Sequence, residues 1–230
     1  MDKNNDSAYH LNWKTLRREW PLWVLMAGLF ITATLVYPHL PDQVPRHWNI
    51  HGQVNGYFSR FYGAFFAPTL VVALYLLLLF VPVLDPKREN YPRFLRSYTL
   101  IRWLLVLFMS LMWGATIVVS LGYQVDISLW VKAGVAILFT IMGNFMGQFR
   151  HNYFVGIRTP WTLASEEVWQ RTHRLGGRIW VAGGLVCLAM APFQGLWNAY
   201  IYFAAIACMT IIPIVYSYLT FARMRNGKTI

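Results

Sequence analysis

About six apolar stretches run along the chain, at 20–37, 61–84, 98–121, 130–149, 179–197 and 198–222, each close to the roughly 20 residues of helix that cross a bilayer core. Leu, Ile and Phe dominate them, and none alternates apolar with polar positions as barrel strands do. Helices are then the remaining spanning structure, because backbone groups in lipid must be satisfied within their own segment. The pattern predicts an all-α, polytopic membrane bundle of about six transmembrane helices. Ahead of the first stretch, Tyr9, Trp13, Leu16 and Trp20 share a helical face with Lys14, Arg17 and Arg18 turned away from it. That arrangement predicts a short helix lying in the membrane interface.

The polar segments divide the chain further. Residues 1–84 read as an N-terminal helical pair with a structured loop at 38–60. Residues 85–97 read as a basic linker, where two prolines and several charges argue against a buried helix. Residues 98–230 read as a four-helix membrane part with an elaborate loop at 150–178. No cleavable leader is expected: a polar tail of about 19 residues precedes the first stretch, with no short apolar run ending in a small-residue cleavage site.

Composition agrees with a membrane domain: 57% of residues are hydrophobic and 13% charged, where soluble domains carry about 25% charge. The net charge of +11 would suggest nucleic acid if it were spread evenly. It is not. Of the 20 Lys and Arg, four precede the first span, five (Lys87, Arg88, Arg93, Arg96, Arg102) follow the second, five (Arg150, Arg158, Arg171, Arg174, Arg178) follow the fourth, and three (Arg223, Arg225, Lys228) end the chain. The alternate loops hold only Arg46 and Arg60, with Lys132 just inside the fourth span. Cytoplasmic loops concentrate Lys and Arg, so both termini are expected in the cytoplasm of a bacterial inner or plasma membrane, with 38–60 outside. The cations then serve topology and lipid contact, and no direct nucleic-acid partner is expected. Cys187 and Cys208 fall in spans and read as small packing residues.

In the 38–60 loop, Pro41 and Pro45 favour extended backbone, while Gly52 and the Asn55-Gly56 pair are turn signals. If 46–51 is extended, Trp48 and Ile50 point one way, and His47, Asn49 and His51 the other. Trp48, Tyr57 and Phe58 are suited to anchoring at the membrane surface. His47, His51 and Asp42 have metal-ligand chemistry, but two histidines four apart need a helix, which Pro45 and Gly52 oppose; no metal site is expected.

The stretch GNFMGQFRHNYFVGIRTPWTLASEEVWQRTHRLGGRIW, from Gly143, carries the densest chemistry. Thr140, Asn144, Gln148 and His151 fall on one helical face, where membrane amides face protein or a wet cavity. Gly143 and Gly147 make a GxxxG pair compatible with close helix approach and an oligomer. After a break at Gly156 and Thr159-Pro160, Thr162 reads as an N-cap with Glu166 and Glu167 in the first turn. Glu166, Trp169 and His173 share a face of the following helix, Arg174 and Arg178 flank it, and Gly176-Gly177 is expected to end it. Such a segment is either an elbow that plugs one end of the bundle or a polar binding site. The ligand-binding candidates are Asn144, Gln148, Asn152, Arg158, Thr159, Trp161, Glu166, Trp169, His173 and Arg174 here, and His47, Trp48 and Asn49 in the first loop.

The run NYFVGIRTPWTL, followed by EEVW, THR and GG, resembles the signature of the SdpI family, and LPDQVPRHWNIHGQVNGY resembles the short domain that often precedes it. The resemblance implies a six-span bacterial membrane protein. It further implies immunity to a secreted peptide toxin and, for some members, signalling in which the loaded protein holds a transcriptional repressor at the membrane.

Three classes of function compete. The first is a binding and sensing protein that captures a peptide toxin or similar amphipathic ligand. The second is an exporter of such a molecule; against it, no charge is expected at the middle of a span and no pair of broken helices repeats. The third is a membrane enzyme; against it, the chain lacks GxSxG, HExxH and a phosphate-cradling glycine loop. The first is expected, with no catalytic residues and no cofactor.

Overall fold

The computed structural model describes residues 9–49 and 52–227. Ile50, His51, Lys3 and Lys228 lie outside the described residues, and so does the expected placement of Ile50 and His51 on opposite sides of the loop. The helices are α1 (Trp13–Arg18), α2 (Trp20–Val36), α3 (Arg60–Leu84), α4 (Leu95–Ser120), α5 (Ile127–Met146), α6 (Pro160–Ala164), α7 (Glu166–Met190) and α8 (Leu196–Arg225). Two strands, β1 (Gln43–Trp48) and β2 (Val54–Ser59), pair antiparallel. Short 3-10 turns cover Tyr37–His39 and Arg88–Phe94.

Among the described residues, five segments are long and apolar enough to cross a membrane: Trp20–His39, Arg60–Leu84, Arg88–Ser120, Ile127–Met146 and Leu196–Arg225. The chain is a polytopic helical membrane protein, as its hydrophobic pattern predicts. Of the stretch expected at 179–197, residues 179–190 form the apolar end of α7, a helix of 25 residues whose first half is polar and charged, and the rest is the turn into α8 and its first residues. Gly176 and Gly177, expected to end a segment, sit inside that helix. A side chain at Gly177 would overlap the Gly143 carbonyl of α5, and one at Gly176 would overlap Ile157. Close packing there offsets the cost of about 1 kcal/mol that a helical glycine carries.

The chain forms two compact units. One comprises Leu11–Phe80 with Arg102–Gly134. Leu22, Met26, Leu29 and Ala33 form the buried stripe of α2, and they join Val71, Tyr75 and Leu79 of α3 and Val106, Trp113 and Ile117 of α4. The hairpin seals onto this core through Leu40 and Val44. Val44 is fully buried against Gly63, where any side chain would collide with its methyl groups. The hairpin turn is not where Asn55-Gly56 suggests: both residues lie in β2, with Gly56 opposite His47. Gly52, at φ +76°, takes the left-handed turn position, and the Asn49 side chain accepts the Gln53 amide at 3.0 Å. A carboxamide that caps its own turn outcompetes a later Asn-Gly pair.

This unit also holds a charge pair that the loop count concealed. Arg102 is not a linker cation: it is buried in α4 and pairs with buried Glu19, which precedes α2. Trp103 Nε1 donates to the other Glu19 oxygen at 3.0 Å, and the Arg102 guanidinium lies 5.9 Å from the centre of the Tyr75 ring.

Among the described residues, the other unit comprises 9–10, Val81–Ile101 and 135–227. Here α7 and α8 pack against each other, with Cys187, Tyr202 and Met209 at their contact and Ala136 of α5 against it. Pro213 breaks the hydrogen-bond ladder of α8, because proline has no N–H to offer the carbonyl four residues back. Trp180 of α7 fills that role, donating from Nε1 to the Met209 carbonyl at 2.8 Å. Gly143, one half of the GxxxG pair, is occupied by α7 within the same chain.

Candidate functional site

The chemistry expected between 143 and 178 gathers in this second unit, around the connection from α5 to α7. Helix α5 ends at Met146, so Gln148 and His151 leave the helical face they were expected to share with Thr140 and Asn144. Thr140 bonds its own helix through the Ala136 carbonyl, Asn144 is exposed, and the Gln148 side chain accepts from Ser97 Oγ at 2.5 Å.

Past α5 the loop is built around Asn152, which is fully buried. Its oxygen accepts the amides of Phe154 and Val155 at 2.9 and 2.7 Å, and its nitrogen donates to the carbonyls of Arg150 and Val155. One side chain thereby closes backbone groups between Arg150 and Val155 that no regular structure would satisfy. The next anchor is His173. Its Nδ1 lies 2.8 Å from the Trp169 carbonyl, to which it donates, and its Nε2 accepts the Ile157 amide at 2.9 Å. Both contacts are met only by the neutral ring. Burial pushes its pKa down to about 4, with His151 nearby adding to the effect against the Trp169 carbonyl.

Gly156, at φ +124°, leaves room for that ring, since any side chain there would overlap His173 Nε2. Trp169 stacks on His173 at 4.1 Å between ring centres and donates from Nε1 to the Phe149 carbonyl at 2.9 Å.

Two caps then restart the helices. Thr159 caps α6 in a reciprocal box with Thr162, and Ser165 caps α7. Thr162 is therefore not the N-cap its spacing suggested. The proline at 160 fits the first helical turn and moves the cap to the residue before it. Thr159 also meets Ser217 of α8 at 3.0 Å, and Trp161 packs on Tyr218 at 5.1 Å, which docks the elbow on α8.

From the preceding linker come three partners that sequence spacing did not bring forward. Buried Asp85 accepts from Tyr91 Oη and from the Tyr153 amide, both at 3.0 Å. Lys87 Nζ donates to His151 Nδ1 at 2.8 Å, and Asn90 donates to the His151 carbonyl at 2.8 Å. Burial, and then the Lys87 charge, hold His151 below its ordinary pKa. The available signal was Asp85 itself, an acid directly after an apolar span and ahead of four cations.

The candidate residues thus sort into two sets. Asn152, Thr159, Trp169 and His173 are buried and committed to internal bonds. Asn144, Arg158, Glu166 and Arg174 are exposed, with Trp161 half-buried between. Arg158 donates to the Tyr153 carbonyl at 3.0 Å, and Tyr153 and Phe154 are exposed beside it.

The residues of the first loop lie in the other unit. His47 meets the Asn55 side chain at 2.5 Å, the Asn49 side chain bonds that of Gln53 at 3.0 Å, and Trp48 is half-buried. Asp42, weighed as a metal ligand, pairs with Arg60 at 2.8 Å.

Spanning helices, a capped polar elbow and a membrane-proximal hairpin define a multi-pass protein of the bacterial cytoplasmic membrane. Residues 148–217, which contain the elbow, match the SdpI/YfhL protein family, and residues 24–72, which contain the hairpin, match a domain of unknown function, DUF1648. The chain is 27% identical over 205 residues to the immunity protein SdpI of Bacillus subtilis (strain 168), covering 89% of this chain and 96% of that protein. Through these segments the chain resembles the SdpI family. No solved structure matches it.

Proposed function

We propose that the chain is a membrane immunity protein of SdpI type, which binds a secreted peptide toxin or a similar amphipathic ligand. The observation that carries this reading is the match to the immunity protein SdpI over nearly its whole length, with the DUF1648 and SdpI segments in one chain. In this reading residues 1–84 receive the ligand, the linker 85–97 joins them to residues 98–230, and the elbow within 150–178 responds. His47, Trp48 and Asn49 lie on the hairpin, at headgroup depth where an amphipathic peptide also partitions. Arg158, Glu166, Arg174 and Trp161 offer the elbow's outer face to a cytoplasmic partner, for which a transcriptional repressor held at the membrane is the proposed identity. The buried Asn152, Thr159, Trp169 and His173 shape that face without touching the partner.

The test is survival of a toxin-sensitive bacterium expressing the protein when challenged with secreted amphipathic peptides. The wild type should protect. At matched membrane abundance, Arg158→Ala should lower protection or signalling at least tenfold, as should the His47→Ala, Asn49→Ala double variant. Full activity in both variants removes these surfaces from the mechanism, and a wild type that protects against no peptide removes the immunity reading.

A further inference from the structure

We propose that Lys14, Arg17 and Arg18, together with Trp20, form a binding site for the phosphate headgroup of an anionic phospholipid. In α1 these cations follow one another at helical spacing, and they converge with Trp20 on one shallow open cradle. No acid lies in the first turn of α1, and no side chain of that helix is buried. The nearest acid in sequence, Glu19, is already neutralised by Arg102 and closed off from solvent. Among the described residues these three cations are paired with no acid, and guanidinium groups match phosphate oxygens in bidentate geometry.

The tryptophans decide between a lipid and a soluble anion. Trp20, which lines the cradle, is 63% exposed, and Trp13 at the start of α1 is 75% exposed, so the segment presents two large amphipathic rings that are largely uncovered. Trp20 is also the first residue of a segment apolar and long enough to cross the membrane. The cradle thus lies within about a turn of the point where the chain enters the bilayer, the depth of the headgroups, where tryptophan rings prefer to sit. Cations at that depth are drawn to anionic lipid by its negative surface potential. A phosphodiester there meets the cations while its acyl chains run beside the apolar face of α2. This inference does not depend on the immunity reading.

The test uses the full-length protein in phosphatidylcholine vesicles doped with spin-labelled phosphatidylglycerol or spin-labelled phosphatidylcholine. The fraction of each probe immobilised by the protein is read by electron paramagnetic resonance. The wild type should prefer the anionic probe several-fold at low salt, less so at about 1 M, where the screening length is about 3 Å. The K14Q/R17Q/R18Q variant should cut that preference at least twofold. A control, R93Q/R223Q/R225Q, removes the same charge from exposed positions elsewhere and should keep most of it. An unchanged preference in the first variant overturns the proposal, and so does an equal loss in the control. Competition by millimolar inorganic phosphate or by oligonucleotide overturns the lipid assignment. If circular dichroism shows that the triple variant is misfolded, R17Q/R18Q is read by the same criteria.

Discussion

His173 shows how a residue that looks like a functional imidazole is used for architecture. Its two nitrogens hold the Trp169 carbonyl and the Ile157 amide, and both bonds need the neutral ring. Its pKa falls from 6.5 to about 4 on folding, chiefly by burial. Between those values the unfolded chain binds a proton that the folded chain refuses, so stability rises with pH across that window. The contribution is complete above about 6.5 and is lost as pH falls toward 4. The protection factor of the Ile157 amide and its neighbours, taken against the intrinsic exchange rate at each pH, should therefore fall on acidification, and His173→Gln should flatten that slope while lowering protection at neutral pH. His151, also lowered, adds a slope of the same sign, so a residual dependence in the variant is expected. Gly156 allows a sharper prediction. Alanine there is strained by a φ of +124° and collides with the His173 ring. Gly156→Ala should cost about 1–3 kcal/mol, the range for a residue forced into a disfavoured backbone region. Thermal unfolding in detergent should show the loss, and Gly147→Ala, where a new methyl meets only ordinary contacts, should show little.

At the scale of elements, the spans were legible because hydrophobic length is a local property that a sequence window reads directly. The elbow was legible as a place, from GIRTPWTL and the glutamates behind it. Its wiring was not, because the partners come from distant positions. His151 meets Lys87 across 64 residues, and Glu19 meets Arg102 across 83. Glycines misled in a specific way. Gly176-Gly177 reads as a helix end, yet in a bundle glycine also admits a neighbouring backbone, and only the fold separates the two uses. Arg102 misled through its position near the start of a span, where a cation normally belongs to the loop. Removing one partner from a buried ion pair costs about 3–5 kcal/mol, because the remaining charge stays uncompensated. Glu19→Ala and Arg102→Ala should each destabilise the protein to that extent in detergent unfolding. Replacing both by methionine should recover much of the loss. A single substitution costing under about 1 kcal/mol would mean that water still reaches the pair.

At the scale of the whole molecule, topology depends on α7. Its apolar end, 179–190, spans about 18 Å at 1.5 Å per residue, short of a hydrocarbon core of about 30 Å. The full 25-residue helix spans about 37 Å and can cross, provided its polar half is sheltered. That half turns Thr172, His173, Gly176 and Gly177 inward, while Arg174 and Arg178 are exposed and long enough to reach back toward headgroups. A crossing α7 gives six spans with both termini on the basic side, in agreement with the charge distribution. A helix α7 lying along the surface gives five spans and puts the termini on opposite sides. Single cysteines in a Cys187→Ala, Cys208→Ala background separate these cases, using an impermeant thiol reagent on intact cells. Gln53→Cys in the hairpin should label from outside, and Ala164→Cys at the end of α6 only after permeabilisation. Gln194→Cys, between α7 and α8, carries the decision: labelling in intact cells means that α7 crosses. Protection at Gln194 with labelling at Gln53 would reduce the bundle to five spans, and labelling at Ala164 in intact cells would invert it.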